Sequence, residues 1–174
     1  MQKKLLVFLT LIMWNTGISG QELKTNIPLV LAHRGASGYL PEHTLAAVAL
    51  AHGQGADFIE QDVILSSDNQ PVVLHDLTLD ATTNVHDLFP GRNRKNGKYY
   101  AIDFTLAELK KLSVHERSKS SGSIAKYPLR FPRKSVLFKI ISLQEEIELI
   151  QGMNKSTGRN VGLFVELKAP EWHR

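Results

Sequence analysis

The stretch DFIEQDVILSSDNQPVVLH, residues 57–75, is the part of the sequence that best indicates the fold. Two largely apolar runs, 57–65 and 71–75, flank the turn-forming residues 66–69, which predicts two strands joined by a turn. Residues i and i+2 of a strand share a face, so Glu60 and Asp62 should point the same way. Two adjacent carboxylates repel each other, and this predicts a cation between them, a hard divalent ion being the natural candidate.

The pattern on either side of this stretch alternates strands and helices. An apolar run at 29–32 predicts a strand, and Thr44 can cap a helix that ends at Gly53 or Gly55. Further along, two Ser/Thr-x-x-Glu capping boxes predict helix starts, and a last strand is predicted at 161–168. The capping boxes are Thr105 with Glu108 and Ser142 with Glu145. This order predicts an α/β fold with parallel strands, of the (β/α) barrel kind.

Polar residues stand in or just after each of the four predicted strands. They are His33 and Arg34, Glu60 and Asp62, His75 and Asp76, and Glu166 and Lys168. Each alone is more readily explained by packing or by a surface position, but barrel sites assemble at the carboxyl ends of strands. Carboxylates with a divalent ion, two cationic side chains and two histidines suit phosphodiester cleavage. Most other histidines, including His43 and His52, are expected on the surface.

The N-terminal residues 1–20 have the order of a secretory signal peptide. Lys3 and Lys4 precede an apolar run at 5–14, and small residues lead to a cleavage point near Gly20. The run is about ten residues, short of the ~20 that span a bilayer, so no stable membrane anchor is expected after cleavage. A buried N-terminal helix is the alternative. The chain has no cysteine, which excludes a lipid-anchored lipoprotein and disulfides in the exported protein.

The charge of the chain is concentrated in one segment. The formal net charge of +4 falls to +2 without Lys3 and Lys4, so the balance does not argue for nucleic acid. Between Asn84 and Lys139, however, thirteen Lys or Arg residues stand against four acids. This segment either attracts an anionic substrate or surface, or is a solvated insertion.

The motifs AHRGASGYLPEHT, FIEQDVILSSDNQPVVLHD, LDATTNV and VGLFVELKAP, in this order, resemble those of the glycerophosphodiester phosphodiesterases, especially the periplasmic bacterial type. The resemblance implies a (β/α)₈ TIM barrel with an insertion after the third strand, at about 84–141. It also implies hydrolysis of glycerophosphodiesters to sn-glycerol 3-phosphate and an alcohol, in glycerol and phospholipid catabolism. The resemblance further implies that a hydroxyl of the glycerol is the first nucleophile, giving a cyclic phosphate that water opens.

The resemblance also implies a role for each candidate residue. His33 and His75 match the acid and base pair, and Arg34 and Lys168 match groups that bind the substrate phosphate. The metal ligands correspond to Glu60, Asp62 and Glu166, with Ca²⁺ favoured and Mg²⁺ as the alternative. The implied partner is a small-molecule glycerophosphodiester, with no nucleic acid, in the periplasm. The alcohol that is released and the oligomeric state are left open.

The length fits one domain but not a whole barrel. Eight β/α units need about 250 residues, whereas 154 of the 174 residues remain after residues 1–20 are removed. Length alone leaves two alternatives, a smaller open α/β sheet or a truncated piece of a longer protein. With the resemblance, we expect 21–174 to be the N-terminal part of such a domain, which alone folds poorly and hydrolyses little. Two other functions stay open: an exported binding or surface-interaction protein without turnover, and a related lipase acting at a membrane surface.

Overall fold

The computed structural model describes residues 28–119, 124–131 and 137–173, so the predicted signal peptide lies outside the described residues. The strands are β1 (Leu31–His33), β2 (Phe58–Leu65), β3 (Pro71–Val73), β4 (Ser113–Val114), β5 (Phe138–Lys139) and β6 (Gly162–Leu167). The helices are α1 (Leu45–Gly53), α2 (Val85–Leu88), α3 (Leu106–Leu109) and α4 (Leu143–Thr157), with 3₁₀ turns at Ala101–Asp103 and Pro170–His173. No helix within the described ranges has the length and apolar character needed to cross a bilayer.

Strand β2 is the centre of a sheet with β1 and β6 as parallel neighbours. His33 at the end of β1 pairs with Glu60, and Glu166 of β6 pairs with Asp62. The predicted parallel α/β arrangement is thus confirmed for these three strands. They form an open sheet whose outer strands leave apolar side chains exposed, namely Leu31 on β1 and Phe164, Val165 and Leu167 on β6.

Strand β3 is antiparallel to β2 and follows it after a short turn, so the two strands and the turn predicted at 57–75 are confirmed, and β3 is not a further parallel strand of the barrel. The connecting residues are too few for a parallel crossover, which needs a dozen or more, and they form a tight turn instead. Val63 pairs with both Val73 and Leu167, which places β3 and β6 at opposite edges of β2. The hairpin brings the chain back until the N–H of Leu74 donates to the carbonyl of Asp62 at 2.9 Å. His75 therefore reaches the site by reversal of the chain.

The outer layer on one face of the sheet is formed by α1 and α4. Thr44 caps α1, and Ser142 with Glu145 forms a reciprocal capping box on α4, as the sequence predicts. The ring of His52 lies between the two helices, with Nε2 3.0 Å from Asn154 Oδ1. His52 is 1% exposed, so its expected surface position is wrong.

The basic segment between β3 and α4 has an apolar core of its own. Its described residues include the short helices α2 and α3 and the β4–β5 pair, packed around Phe104, Leu109 and Leu112, which are fully buried. Some of its charges pair locally: Arg92 contacts Glu108 and Arg94 contacts Asp103. The described part of this segment is thus a packed unit, and several of its exposed charges pair with one another.

Candidate active site

The turn after β1 directs Arg34 into the site. Arg34 has a φ of 61° and Gly35 a φ of 75°, a left-handed pair that reverses the chain directly after His33. A Cβ on Gly35 would lie 2.9 Å from the carbonyl carbon of Ala47, so a side chain has no room there. The turn is held from β2, because the N–H of Arg34 donates to the side chain of Glu60 at 2.8 Å.

Three carboxylates meet at the carboxyl ends of β2 and β6. Glu60, Asp62 and Glu166 each offer an oxygen within 4.8 Å of the others, the first two being buried and Glu166 exposed. The i and i+2 spacing along β2 and the register with β6 bring them together, as predicted. A set of carboxylate oxygens is the donor chemistry that Ca²⁺ and Mg²⁺ prefer, so the residues fit a hard divalent ion.

Lys168 lies among these carboxylates. Its Nζ is 2.5 Å from Glu166 Oε1 and 3.1 Å from Asp62 Oδ1, so the ammonium group bridges the two acids. Its partial burial lowers the pKa of Lys168, but the hydrogen bonds to Glu166 and Asp62 raise it by more. A divalent ion on the same oxygens would compete with this side chain.

His43 belongs to the site, and its expected surface position is wrong. It is 4% exposed, and its Nε2 lies 2.9 Å from Asp62 Oδ2. Burial alone would raise the pKa of Asp62, but the hydrogen bond and charge of His43, followed by the hydrogen bond of Lys168, hold it well below its usual range. A φ of 57° turns His43 inward just before the cap residue Thr44. The Pro-Glu-His-Thr turn was the available signal, but it does not show which way the ring points.

A second ion network orients His75. Its Nδ1 lies 2.5 Å from Asp76 Oδ1, and Arg117 donates to Asp76 Oδ2 at 2.5 Å. Arg117 also binds both oxygens of Glu42, which in turn accepts from Arg34. Burial opposes ionisation of Asp76, but the hydrogen bonds from His75 and Arg117 lower its pKa to about 2. The network thus connects the two predicted functional groups, His75 and Arg34, through a residue of the basic segment.

Sequence reasoning missed Arg117 and Glu42 because the contact joins residues 75 positions apart. The only signal was the excess of basic residues in that segment. Burial alone would lower the pKa of Arg117, but the hydrogen bonds to Glu42 and Asp76 outweigh burial and raise this pKa above its ordinary value. The guanidinium group therefore stays charged and anchors the basic segment to the loop between β1 and α1.

The two predicted catalytic histidines line one pocket of about 170 Å³ together with Arg34. His33 is largely exposed there, with a side-chain exposure of 68%, and its Nε2 lies 3.9 Å from Glu60 Oε2. The remaining wall comes from the basic segment. The pocket is lined by His33, Arg34, Ser37, Glu42, His75, Arg117, Lys126, Tyr127 and Arg130. It offers proton donors, cationic groups and access from solvent beside the carboxylate cluster.

Comparison with solved structures supports a phosphodiesterase-type barrel. A glycerophosphodiester phosphodiesterase from Agrobacterium tumefaciens superposes with a TM-score of 0.57 at 28% identity, covering 81% of this chain and 47% of that one. A phosphodiesterase from Oleispira antarctica, solved with the product sn-glycerol-3-phosphate, has a TM-score of 0.55 at 34% identity. That match covers 82% of this chain and 45% of the other. The described residues therefore have the fold of part of a (β/α)₈ barrel of this type.

Comparison of sequences leads to the same family. A glycerophosphodiester phosphodiesterase from Haemophilus influenzae is 45% identical over 161 residues, which are 91% of this chain and 44% of the relative. The chain spans less than half the length of the curated relatives it matches. The model of the glycerophosphoryl diester phosphodiesterase family matches residues 33–174. The chain therefore belongs to the glycerophosphoryl diester phosphodiesterase family.

Proposed function

We propose that the protein to which this chain belongs hydrolyses glycerophosphodiesters to sn-glycerol 3-phosphate and an alcohol. The observation that carries this proposal is the single pocket shared by His33, Arg34 and His75 beside the carboxylate cluster. Two histidines at one pocket supply an acid and a base near neutral pH, which a protein that only binds does not need.

The roles follow from the surroundings of each group. One histidine accepts the proton of the attacking oxygen, and the other protonates the alcohol oxygen as its bond to phosphorus breaks. His75 is held by Asp76, while His33 is free to reach into solvent. The Arg34 side chain, positioned by Glu42, neutralises phosphate charge as it builds up.

A divalent ion would be held by Glu60, Asp62 and Glu166. When bound it supplies positive charge to the phosphoryl oxygens. We propose Ca²⁺ as that ion, with Mg²⁺ as the alternative, on the strength of the resemblance to the periplasmic type. Isothermal titration of the chain with CaCl₂ and MgCl₂ tests this, because Asp62→Asn should abolish binding and the exposed Glu148→Gln should not.

We also propose export to the periplasm, in keeping with the signal-peptide pattern of residues 1–20. N-terminal sequencing of the protein recovered from a periplasmic fraction should give Gln21 as the first residue. Recovery of the intact N-terminus in the cytoplasmic fraction would contradict export.

Activity is tested with the 174-residue chain and with a fusion that adds the part of the Haemophilus influenzae relative that this chain does not match. The substrates are glycerophosphodiesters with cationic, neutral and anionic alcohols, and release of sn-glycerol 3-phosphate is measured with an enzyme-coupled assay. We expect turnover by the fusion and little by the chain alone, because the open sheet leaves the site incompletely enclosed.

The controls separate chemistry from folding. His33→Ala and EDTA should each abolish turnover by the fusion. His86→Ala should not, because that ring lies outside the pocket and is half exposed beside Asp80. A fusion that binds glycerol 3-phosphate but never releases it from a diester would support the binding-protein alternative. Undiminished turnover by His33→Ala would overturn the assigned site.

A further inference from the structure

One wall of the pocket that His33 and Arg34 line is formed by Lys126, Tyr127 and Arg130 of the basic segment. The backbone of this wall is fixed to residues 117–119 by two hydrogen bonds, from Lys119 N–H to the carbonyl of Ile124 at 2.8 Å and from Lys126 N–H to the carbonyl of Arg117 at 2.9 Å. Because the Arg117 side chain is in turn bound to Glu42 and Asp76, the wall is tied to the site.

Arg130 is held in place at this wall. Its Nη1 lies 3.8 Å from Oε1 of Glu116, whose side chain is 3% exposed, and its guanidinium carbon lies 4.0 Å from the ring centroid of Tyr127. An arginine that is stacked on an aromatic ring and paired with a buried carboxyl group loses little freedom when it binds an anion. Arg130 is therefore a positioned cation facing the pocket.

Lys126 adds a second cation on the same ring. Its Nζ lies 5.4 Å from the centroid of Tyr127, and no carboxylate among the described residues is within ion-pair distance of it. The pocket is lined by four Lys or Arg side chains but by one carboxylate, Glu42, which Arg34 and Arg117 already bind. This side of the pocket thus carries uncompensated positive charge.

The two cations that already lie against the Tyr127 ring decide what the wall can bind. An exposed aromatic ring beside a phosphodiester site is suited to a quaternary ammonium group such as choline. Here the protein's own cations already lie against the ring, and an added ammonium group would be repelled by both. An anionic group would instead be attracted, with charge-assisted hydrogen bonds from Arg130 and Lys126.

We propose that Lys126, Tyr127 and Arg130 form a subsite for the alcohol portion of the substrate, selective for an alcohol that carries a phosphate or carboxylate group. This inference rests on the proposed function for its place in the reaction, since Arg34 is there assigned to the scissile phosphate. The phosphate or carboxylate group on the alcohol is then bound by the wall. Glycerophosphodiesters of choline and ethanolamine are the disfavoured substrates.

Binding to the fusion tests the subsite without turnover, because none of the probes is a phosphodiester. The probes are inositol 4-phosphate, inositol and choline, measured by isothermal titration in the presence and absence of saturating glycerol 3-phosphate. We expect inositol 4-phosphate to bind in both conditions and the other two not to bind. Lys126→Gln or Arg130→Gln should weaken the binding of inositol 4-phosphate about tenfold, as expected for loss of one charged hydrogen bond. Lys95→Gln, at an exposed position outside the pocket, should leave this affinity unchanged. Displacement by glycerol 3-phosphate, or equal affinity in Arg130→Gln, would overturn the subsite.

Turnover by the fusion separates this proposal from the proposed function. The substrates are glycerophosphoinositol 4-phosphate, glycerophosphoinositol and glycerophosphocholine, of which the first two differ by one phosphate. We expect kcat/KM to be highest for glycerophosphoinositol 4-phosphate and lowest for glycerophosphocholine. Arg130→Gln should lower kcat/KM about tenfold for glycerophosphoinositol 4-phosphate and less than about twofold for glycerophosphoinositol. If none is hydrolysed while inositol 4-phosphate binds as described, the subsite stands and the hydrolytic function fails. If glycerophosphocholine is the best substrate, the function stands and the subsite is wrong.

Discussion

Glu146 on α4 is a buried acid that the proposed chemistry does not use. It is 1% exposed, and neither of its carboxylate oxygens accepts a hydrogen bond from the described residues. Burial, with a smaller contribution from the charge of Glu60, raises its pKa from 4.5 to about 8. We predict that Glu146→Gln, which keeps the shape and removes the charge, stabilises the protein above neutral pH.

The magnitude follows from the two pKa values. Between pH 4.5 and 8 the folded protein keeps the proton of Glu146 and the unfolded chain has lost it. The free energy of unfolding therefore falls as the pH rises through this window, at about 1.4 kcal/mol per pH unit and by about 5 kcal/mol in total. The acids with lowered pKa, Asp62 and Asp76, act in the opposite sense and lose their stabilisation as the pH falls through acid values, outside this window.

The assay is urea unfolding of the fusion at pH 5.5, 7 and 8.5, in EDTA so that bound metal does not alter the charge at Glu60. The wild type should lose stability across this series, whereas Glu146→Gln should lose much less. Glu148→Gln, an exposed acid on the same helix, should follow the wild type. Parallel profiles for wild type and Glu146→Gln would refute the buried protonated acid.

Three further changes test the site and its turn. Arg117→Met leaves the buried carboxylate of Glu42 and the partly buried carboxylate of Asp76 without this partner and should lower the free energy of unfolding by about 3–5 kcal/mol, measured by urea unfolding. A loss under about 1 kcal/mol would mean that the network is exposed to solvent. Gly35→Ala should cost at least about 1–3 kcal/mol through its positive φ and the contact of its Cβ with α1, while Gly53→Ala, where a Cβ meets nothing within 4 Å, should be neutral or stabilising. Lys168→Gln should tighten Ca²⁺ binding by titration calorimetry, because the ammonium group no longer competes for the carboxylates; weaker binding would contradict that competition.

Local signals explain which parts of the fold could be predicted. The capping residues Thr44 and Ser142 act within their own helical turn, and both were found at the predicted positions. The i and i+2 spacing of Glu60 and Asp62 likewise fixes a common face wherever the strand lies. Predictions of this kind need only a few neighbouring residues, which is why they hold.

The parts that were wrong or missed depend on contacts between distant residues. His43 and Arg117 enter the site because the buried carboxylates of Asp62 and Glu42 require hydrogen-bonding partners. A sequence shows that such partners exist but not which of them folds inward.

The charges around Asp62 explain how the carboxylate cluster is stable before any metal binds. One oxygen lies near His43 and Arg34, at 2.9 and 3.4 Å, and the other lies 3.1 Å from Lys168. His43 is buried, and the partly buried Arg34 is also held by Glu42, whereas Lys168 reaches Asp62 and Glu166 from the rim on a flexible stem. Lys168 is therefore the cation that would yield its place to a divalent ion on the same oxygens. Once released at the mouth of the site, its ammonium group would be free for the substrate phosphate, and we propose that Lys168 pairs with the carboxylates before metal binding and with the phosphate afterwards.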